Sequence, residues 1–522
     1  MSAVTLILLS FAAIAALRAL ADRTDIPLPT LLVVGGLGLA LLPGLPRLQL
    51  DPETIFLVFI PPLLFWTAVQ TSLRDLKRNL RSITLLAVWL VLITIGVVAL
   101  VTHALLPGLP WAVCFLLGAI VSPPDAVAVT ASTRRLSLPR TMLVLLEGES
   151  LMNDATALVA YQVALAAAVT GSFSLPRASA ELLLTGAGGI AVGVAIGYVV
   201  GWVRIRMPRS SVVENTVSLL TPFIAYIPAD ALGCSGVLAV VSMGLFLSRR
   251  SSRVITAPTR LQGAAMWEML TFLLEGLIFI IIGLELPAVV ESIAAADIVH
   301  LVWVALAVSG AMIVTRIFWM FVGAYLPRWL DRRLGRPTTA YPPWRNVLFL
   351  GWAGIRGGDS LVIALAVPYL GLHGAPLTGR ADIIFVTFVV ILVTLVLQGL
   401  TLAPLIRRLG IVGGSEESDE EHLARAAGIR AGAEALEQLA AGEAHEREIA
   451  AALRRAAHHR LERVTQDSAV ATGYARLRLA MLAAEREAVI AMRDRNEISD
   501  SVLWRLQSEF DHEEVLLRRA SD

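Results

Sequence analysis

Apolar residues fill most of this chain in long blocks separated by short polar stretches in which arginine recurs. A helix needs roughly 20 mainly apolar residues to cross the hydrocarbon core of a bilayer, and on that rule about thirteen spanning segments lie before residue 410. They are predicted at 3–21, 28–46, 53–71, 82–105, 111–132, 141–169, 180–203, 212–228, 232–248, 265–289, 298–326, 346–369 and 383–406. The polar stretches alternate in charge. One set carries Arg18 and Arg23; Arg74, Lys77, Arg78 and Arg81; Arg134, Arg135 and Arg140; Arg204, Arg206 and Arg209; Arg249, Arg250 and Arg253; Arg328, Arg332, Arg333 and Arg336; Arg407 and Arg408. The intervening set is nearly free of basic residues, with Arg47, Arg177 and Arg380 as the main exceptions. Basic loops collect on the cytoplasmic side, so the expectation is an odd number of spans, an N-terminus outside and a C-terminus in the cytoplasm.

Composition agrees with this pattern. With 56% hydrophobic and 16% charged residues and a mean hydropathy of +0.72, the 522-residue chain lies outside the range of soluble globular proteins. It reads as an all-α polytopic membrane protein whose partner is membrane lipid, with no nucleic acid expected. The first apolar run has the length of a signal peptide, but its positive residues follow it, so it is taken as the first spanning helix. Cys114 and Cys234 both lie in apolar runs, and neither a disulfide framework nor a zinc cluster is expected.

The net charge of +1 hides an uneven distribution, sparse to about residue 410 and dense afterwards. Two domains follow: a transmembrane domain over 1–410 and a cytoplasmic helical tail over 411–522. The tail opens with the acidic run "GGSEESDEEH". Near its end, Ser499 is placed to cap a helix whose apolar Leu503, Leu506 and Phe510 share a face. Its histidines, His458 and His459 among them, show no ligand spacing and read as solvated surface.

Two spans are unsuited to continuous helices. The fifth contains "SPPDAVAV" (Ser122 to Val129), where paired prolines remove amide donors and clash with the preceding turn. The twelfth contains "GWAGIRGGDS" (Gly351 to Ser360). If spans 1–6 and 8–13 form two halves joined by span 7, these are the fifth members of each half, running in opposite directions. Matched interruptions of this kind point to an inverted-repeat transporter with its site at the midplane.

The sixth span carries the chemistry, in "LLEGESLMNDATALVAYQVALAA". An ionisable side chain at the bilayer centre costs at least about 2.5–3.5 kcal/mol and normally marks a pathway, which makes Asp154 the leading ion-binding residue. On a helix, Ser150 lies about 40° from Asp154 and Glu147 about 20° away on the other side, whereas Glu149 points about 140° away. Ser150 can share a ligand with Asp154. Glu149 suits a structural ion pair, and Arg356 in the broken twelfth span is its expected partner, since a buried guanidinium needs an anion. Asp359, one turn on, either competes for Arg356 or lines the cavity. At the fifth-span break, carbonyl oxygens around Ser122, Pro123 and Pro124 are expected as neutral ligands, with Asp125 beside them or capping the second half-helix. Carboxylate, hydroxyl and carbonyl oxygens suit a small alkali cation, so Asp154 is the expected metal ligand.

Burial favours the neutral form of a carboxyl group and an adjacent cation favours the charged form. One carboxylate can therefore hold a proton or a metal ion, and hardly both. If only loaded forms cross between inside-open and outside-open states, the protein exchanges one ion for the other. A passive pore would carry the same polar midplane residues, and a membrane sensor with a regulatory tail would carry the same domains. An intramembrane hydrolase lacks a histidine near Ser150, and "GESLM" is no nucleophile elbow. A retinal pump fails because Lys77, the only lysine, sits in a basic loop.

Taken together, "PPLLFW" (61–66), "SPPDAVAV" (122–129), "LLEGESLMND" (145–154), "FLLEGLIFIIIGLEL" (272–286), "GWAGIRGG" (351–358) and "ILVTLVLQGLTLAPLIRRLG" (391–410) resemble the sodium/proton exchangers of the NhaP type, the cation/proton antiporter-1 group. The resemblance covers residues 1–410. It implies a thirteen-helix homodimer at the plasma membrane, a core domain moving against a dimerisation domain, and Na+, or else Li+ or K+, exchanged for H+ with no cofactor. Asp154 then matches the ion-binding acid and Asn153 the residue that fixes its geometry. Ser150 matches a ligand serine, Glu149 and Arg356 the stabilising pair, and Asp125 the acid of the unwound fifth helix. An Asn-Asp pair implies one-for-one exchange. Trp66 stands where many members carry a carboxylate, and Asp359 and Glu275 are extra acids that could compensate. Glu275 could equally be neutral or paired with Arg316. A regulatory ligand or protein at the tail is left open.

Overall fold

The computed structural model describes residues 3–411 apart from 25, 43–51, 134–137, 172–174, 208–209, 255, 292, 294, 336–339 and 371–375, and, in the tail, 426–436, 450–456, 468–495 and isolated positions from 497 to 517. Arg47, Arg134, Arg135, Arg336, His458, His459, Ser499, Leu503 and the acidic run lie outside the described residues. By contacts the chain divides into Met1–Gly413 and Gly414–Asp522.

The first unit is helical throughout its described spans. Its helices are α1 Ala3–Ala21, α2 Leu28–Ala40, α3 Pro52–Gln70, α4 Leu80–Leu105, α5a Trp111–Val121, α5b Ala126–Thr133, α6 Arg140–Thr170, α7 Leu175–Arg206, α8 Ser211–Ala231, α9 Gly236–Val254, α10 Ala257–Glu291, α11 Ala295–Arg333, α12a Trp344–Trp352, α12b Gly358–Leu365 and α13 Arg380–Leu409. Among the described residues, seven helices are long and apolar enough to cross a membrane, and shorter apolar helices accompany them. Each apolar block overlaps a described helix, the fifth and twelfth blocks as two half-helices each, so both expected breaks are present.

Polar contacts fix which helix ends share a side. Arg81 Nη1, at the start of α4, reaches Asp331 Oδ2 near the end of α11 at 2.5 Å. At the opposite ends His300 Nε2 lies 3.1 Å from the Leu105 carbonyl. Helices α4 and α11 therefore run antiparallel. Arg380, an exception to the charge pattern, acts locally. Its Nε donates to Val367 O at 2.8 Å and its Nη2 to Leu365 O at 3.3 Å, satisfying carbonyls left open at the end of α12b. A cation at a helix C-terminus also suits the helix dipole.

Close crossings use small residues, as expected where lipid removes the hydrophobic drive between helices and packing must replace it. Gly36 on α2 faces the Ile280 carbonyl of α10, and Gly283 on α10 faces the Val33 carbonyl in return. A side chain at either position would wedge the pair apart. Among the described residues, α4 contains a π-helical stretch at Leu85–Leu90 and α13 another at Thr394–Gln398. The first begins where the Leu85 carbonyl accepts the Trp319 Nε1–H at 2.9 Å.

In the second unit the longest described helix is α14, Ser468–Asp494. Arg478 on α14 makes a two-point contact with Glu513, Nε–Oε1 2.7 Å and Nη2–Oε2 2.9 Å, and a third bond to Glu485 at 2.8 Å. Positions 506, 507, 509 and 510 are helical, as the expected apolar face requires of Leu506 and Phe510.

Candidate functional site

The two breaks meet. The Ser122 amide closes α5a by donating to the Gly118 carbonyl at 3.0 Å, the chain then leaves the helix through Pro123 and Pro124, and the Asp125 amide donates to the Ile355 carbonyl of the other break at 2.8 Å. The twelfth-span break is held from α13. The Arg356 amide donates to Thr394 Oγ1 at 3.2 Å and Gln398 Nε2 donates to the Trp352 carbonyl at 2.9 Å. Both partners come from the π-helical stretch, so the extra residue in that helix serves backbone groups that the break leaves open.

Gly357 explains why this segment is glycine-rich: a Cβ there would collide with the Asp125 carboxylate. Only a residue without a side chain lets the two unwound segments approach. On the other side of the break, the Ala126 amide, at the start of α5b, lies 3.5 Å from Ser150 Oγ. The fifth-span break is thus tied to the twelfth span and lies against α6.

A cavity of about 240 Å³ opens beside this junction. It is lined by Asp125, Ser150, Asp154, Glu147, Glu275 and Asp359, together with Thr67, Gln70, Thr71, Thr130, Thr271 and Trp66. Five carboxylates therefore share one space with no basic side chain among the lining residues. Asp359 lies in the first turn of α12b, where a helix dipole favours an anion. Among the described residues, no group of three acidic, His or Cys side chains converges closely enough to hold a metal ion by itself. A cation in this space would be met by one or two carboxylates plus neutral oxygens.

Several expectations are corrected. Glu149 pairs with Arg316 of α11, Nη1–Oε1 2.5 Å and Nη2–Oε2 3.0 Å, and not with Arg356. Both members are buried, at 1% and 2% exposure, where an unpaired charge is costly. Arg316 also donates through Nε to Leu350 O and through Nη2 to Ala353 O. Its fork thus ties α6 and α11 to the end of α12a. Arg356 stays close enough to feel both charges, but among the described residues its Nη1 donates to Gly354 O and its Nε has no acceptor. The physical reason is reach and planarity: Arg316 meets both carboxylate oxygens at once, the strongest geometry an arginine can make. Glu275 is accordingly not the partner of Arg316 and lines the cavity. Asp359 lines it too, and makes no ion pair with Arg356 among the described residues.

Ser122 and Pro124, expected as ligands, are buried outside the lining, and the Ser122 hydroxyl donates to Ala119 O at 3.2 Å. Asn153 is also outside it and fully buried, and among the described residues neither of its amide atoms has a partner. It shares a helix face with Glu149, four residues earlier. The threonines and Gln70 of the lining were missed, because single hydroxyls in apolar helices carry no periodic signal. Trp66 lines the cavity where a carboxylate was expected, and its ring stacks on Trp267 at 5.8 Å and 8°.

Residues 7–408 match the family model for the sodium/hydrogen exchanger, transmembrane. The chain belongs to the sodium/hydrogen exchanger family. An uncharacterised Na(+)/H(+) exchanger of Mycobacterium tuberculosis is 36% identical over 515 residues, covering 96% of this chain and 94% of that protein. A sodium, potassium, lithium and rubidium/H(+) antiporter of Bacillus subtilis is 34% identical over 387 residues, 72% of this chain and 57% of that protein. Among solved structures, the sodium proton antiporter MjNhaP1 of Methanocaldococcus jannaschii has a TM-score of 0.61 at 21% identity, covering 78% of this chain and 98% of that one. The chain thus has the NhaP antiporter fold, and it is a multi-pass membrane transporter of a cation/proton exchange family, not an enzyme.

Proposed function

We propose that this exchanger moves a monovalent cation, sodium first and lithium or potassium in its place, against a proton across the plasma membrane by alternating access. The N-terminus lies outside and the tail over 411–522 is cytoplasmic. Cation and proton compete for Asp154. The observation that carries this reading is the position of Asp154: on a cavity beside two crossing helix breaks, with the Ser150 hydroxyl and the Asp125 carboxylate on the same wall. Asp125, Glu275 and Asp359 surround the exchange site, and the last two supply the negative charge that Trp66 does not. Asn153 holds the local geometry of α6 behind Asp154, and the Glu149–Arg316 pair braces it. The working unit is a homodimer.

A broader ion range is the second reading. It is favoured by the Bacillus relative, whose name includes potassium, lithium and rubidium, and by a lining whose carboxylates do not converge into a tight cage.

The test is exchange in proteoliposomes with an imposed pH gradient, read by a pH dye as sodium, lithium or potassium is added. Collapse of the gradient by a cation with wild type and not with Asp154→Asn supports exchange through Asp154 and ranks the ions. Equal collapse by both proteins sinks the assignment. Gradient collapse without any added cation would indicate a pore.

A further inference from the structure

A second cavity, of about 160 Å³, shares Trp66 with the first. Its charge is the reverse. The polar lining includes Arg204, Arg260, Asn215 and Ser218, two guanidinium groups with no carboxylate among the lining residues. Trp267 forms part of the wall.

Arg204 is under-bonded for a partly buried cation. Its Nη2 donates to the backbone oxygen of Glu214 at 3.4 Å, and among the described residues its buried Nε has no acceptor. The Glu214 carboxylate is near enough to act on it electrostatically, yet makes no ion pair with it among the described residues. A guanidinium in this state has donors to offer and gains from a bound anion. Ser218 Oγ accepts the Trp267 Nε1–H at 3.0 Å, which leaves its own proton to donate inward. Asn215 adds an amide, and the exposed Arg260 stands at the mouth.

Size narrows the ligand. At about 160 Å³ the cavity has room for a phosphate group. Arg204 and Arg260 also belong to the helix ends that carry the basic loops, the side on which anionic headgroups are attracted to clustered arginines.

We propose that this cavity is an anion site for a phosphate group, borne by an anionic lipid headgroup or by inorganic phosphate, and that its occupancy sets the exchange rate through the Trp66–Trp267 wall. The link is continuous. Ser218 faces the anion and holds the Trp267 indole, Trp267 stacks on Trp66, and Trp66 lines the cavity that contains Asp154. An anion that fixes Ser218 and Arg204 fixes the ring pair, and with it one wall of the exchange cavity.

Binding is tested on the full chain, separately from transport. Protein extracted from membranes containing phosphatidylglycerol is washed in detergent, and bound phospholipid and inorganic phosphate are quantified by mass spectrometry and phosphorus assay. Two variants run beside it: Arg260→Gln, at the exposed mouth where folding is least at risk, and Asn215→Asp, which sets a negative charge inside the cavity. Retention of anionic lipid by wild type and a loss of about fivefold or more in either variant, the worth of one arginine–headgroup contact, supports the lipid source. The same pattern with added inorganic phosphate in zwitterionic lipid supports free phosphate. Equal retention by all three proteins, or no phosphate-bearing ligand on wild type, overturns the site. In liposomes, the ligand so identified should change the wild-type exchange rate, and Trp66→Phe should blunt that response. An unchanged rate overturns the coupling.

Discussion

Arg316 of α11 grips both carboxylate oxygens of Glu149 on α6, at 2.5 and 3.0 Å, in a region where neither residue meets solvent. The pair lies on a different face of α6 from Asp154 and joins α6 to the end of α12a.

Removing one member strands the other. Arg316→Ala should destabilise the protein by about 3–5 kcal/mol, the range for breaking a buried pair. Thermal unfolding in detergent checks this, with Glu149→Gln and the double variant completing a cycle. The coupling of Glu149 with Arg316 should clearly exceed its coupling with Arg356. Equal coupling would show that Glu149 is shared between the two arginines.

Gly357→Ala should impair exchange far more than folding. The added methyl meets the Asp125 carboxylate, so it moves a charged wall of the cavity, while overpacking of this size costs about 1–3 kcal/mol. Asp125→Ala in the same chain should recover the lost thermal stability. Failure to recover it would place the clash elsewhere.

Glu275→Gln should alter which cation is carried and the pH at which exchange is half-maximal, with Asp154 intact. The carboxylate lines the same cavity and lies within electrostatic range of Asp125 and Asp359. Ion ranking by the liposome assay reads the effect. An unchanged ranking and pH profile would make Glu275 a neutral filler.

Trp66→Leu should cost about 0.5–1.5 kcal/mol through the lost ring contact with Trp267, beyond the area it unburies. Trp66→Asp places a carboxylate beside that indole, and should cost more because the charge gains no basic partner in the lining. Thermal unfolding of both variants orders them.

In the tail, the bonds from Arg478 hold the Glu513 carboxyl below its ordinary value of 4.5. A carboxyl depressed by folding stabilises the native form above its unfolded value and loses that contribution as pH falls through the folded one. Hydrogen-exchange protection along Ser468–Asp494, taken relative to the intrinsic amide rate at each pH, should therefore be high near neutrality and fall below about pH 4.5, and Arg478→Gln should flatten that response. An identical acid response in the variant would assign it to other groups.

The apolar blocks, the prolines of "SPPDAVAV" and the glycines of "GWAGIRGGDS" were enough, by themselves, to place helices and to break two of them. Both are local properties: a span must be about 20 apolar residues long, and adjacent prolines remove backbone donors wherever they stand. Asp154, Ser150 and Glu147 could be grouped on one face for the same reason, since helical periodicity converts spacing into direction. Partnership is not local. Whether Glu149 meets Arg316 or Arg356, whether Glu275 faces a charge or a cavity, and whether Ser122 reaches the ion path all depend on which helices pack together and at what rotation. Those are set by close crossings such as Gly36 with Ile280 and Gly357 with Asp125, which involve residues hundreds of positions apart. The sequence alone therefore determined which residues must be buried with a charge, and only the packed helices decided which charge each one meets.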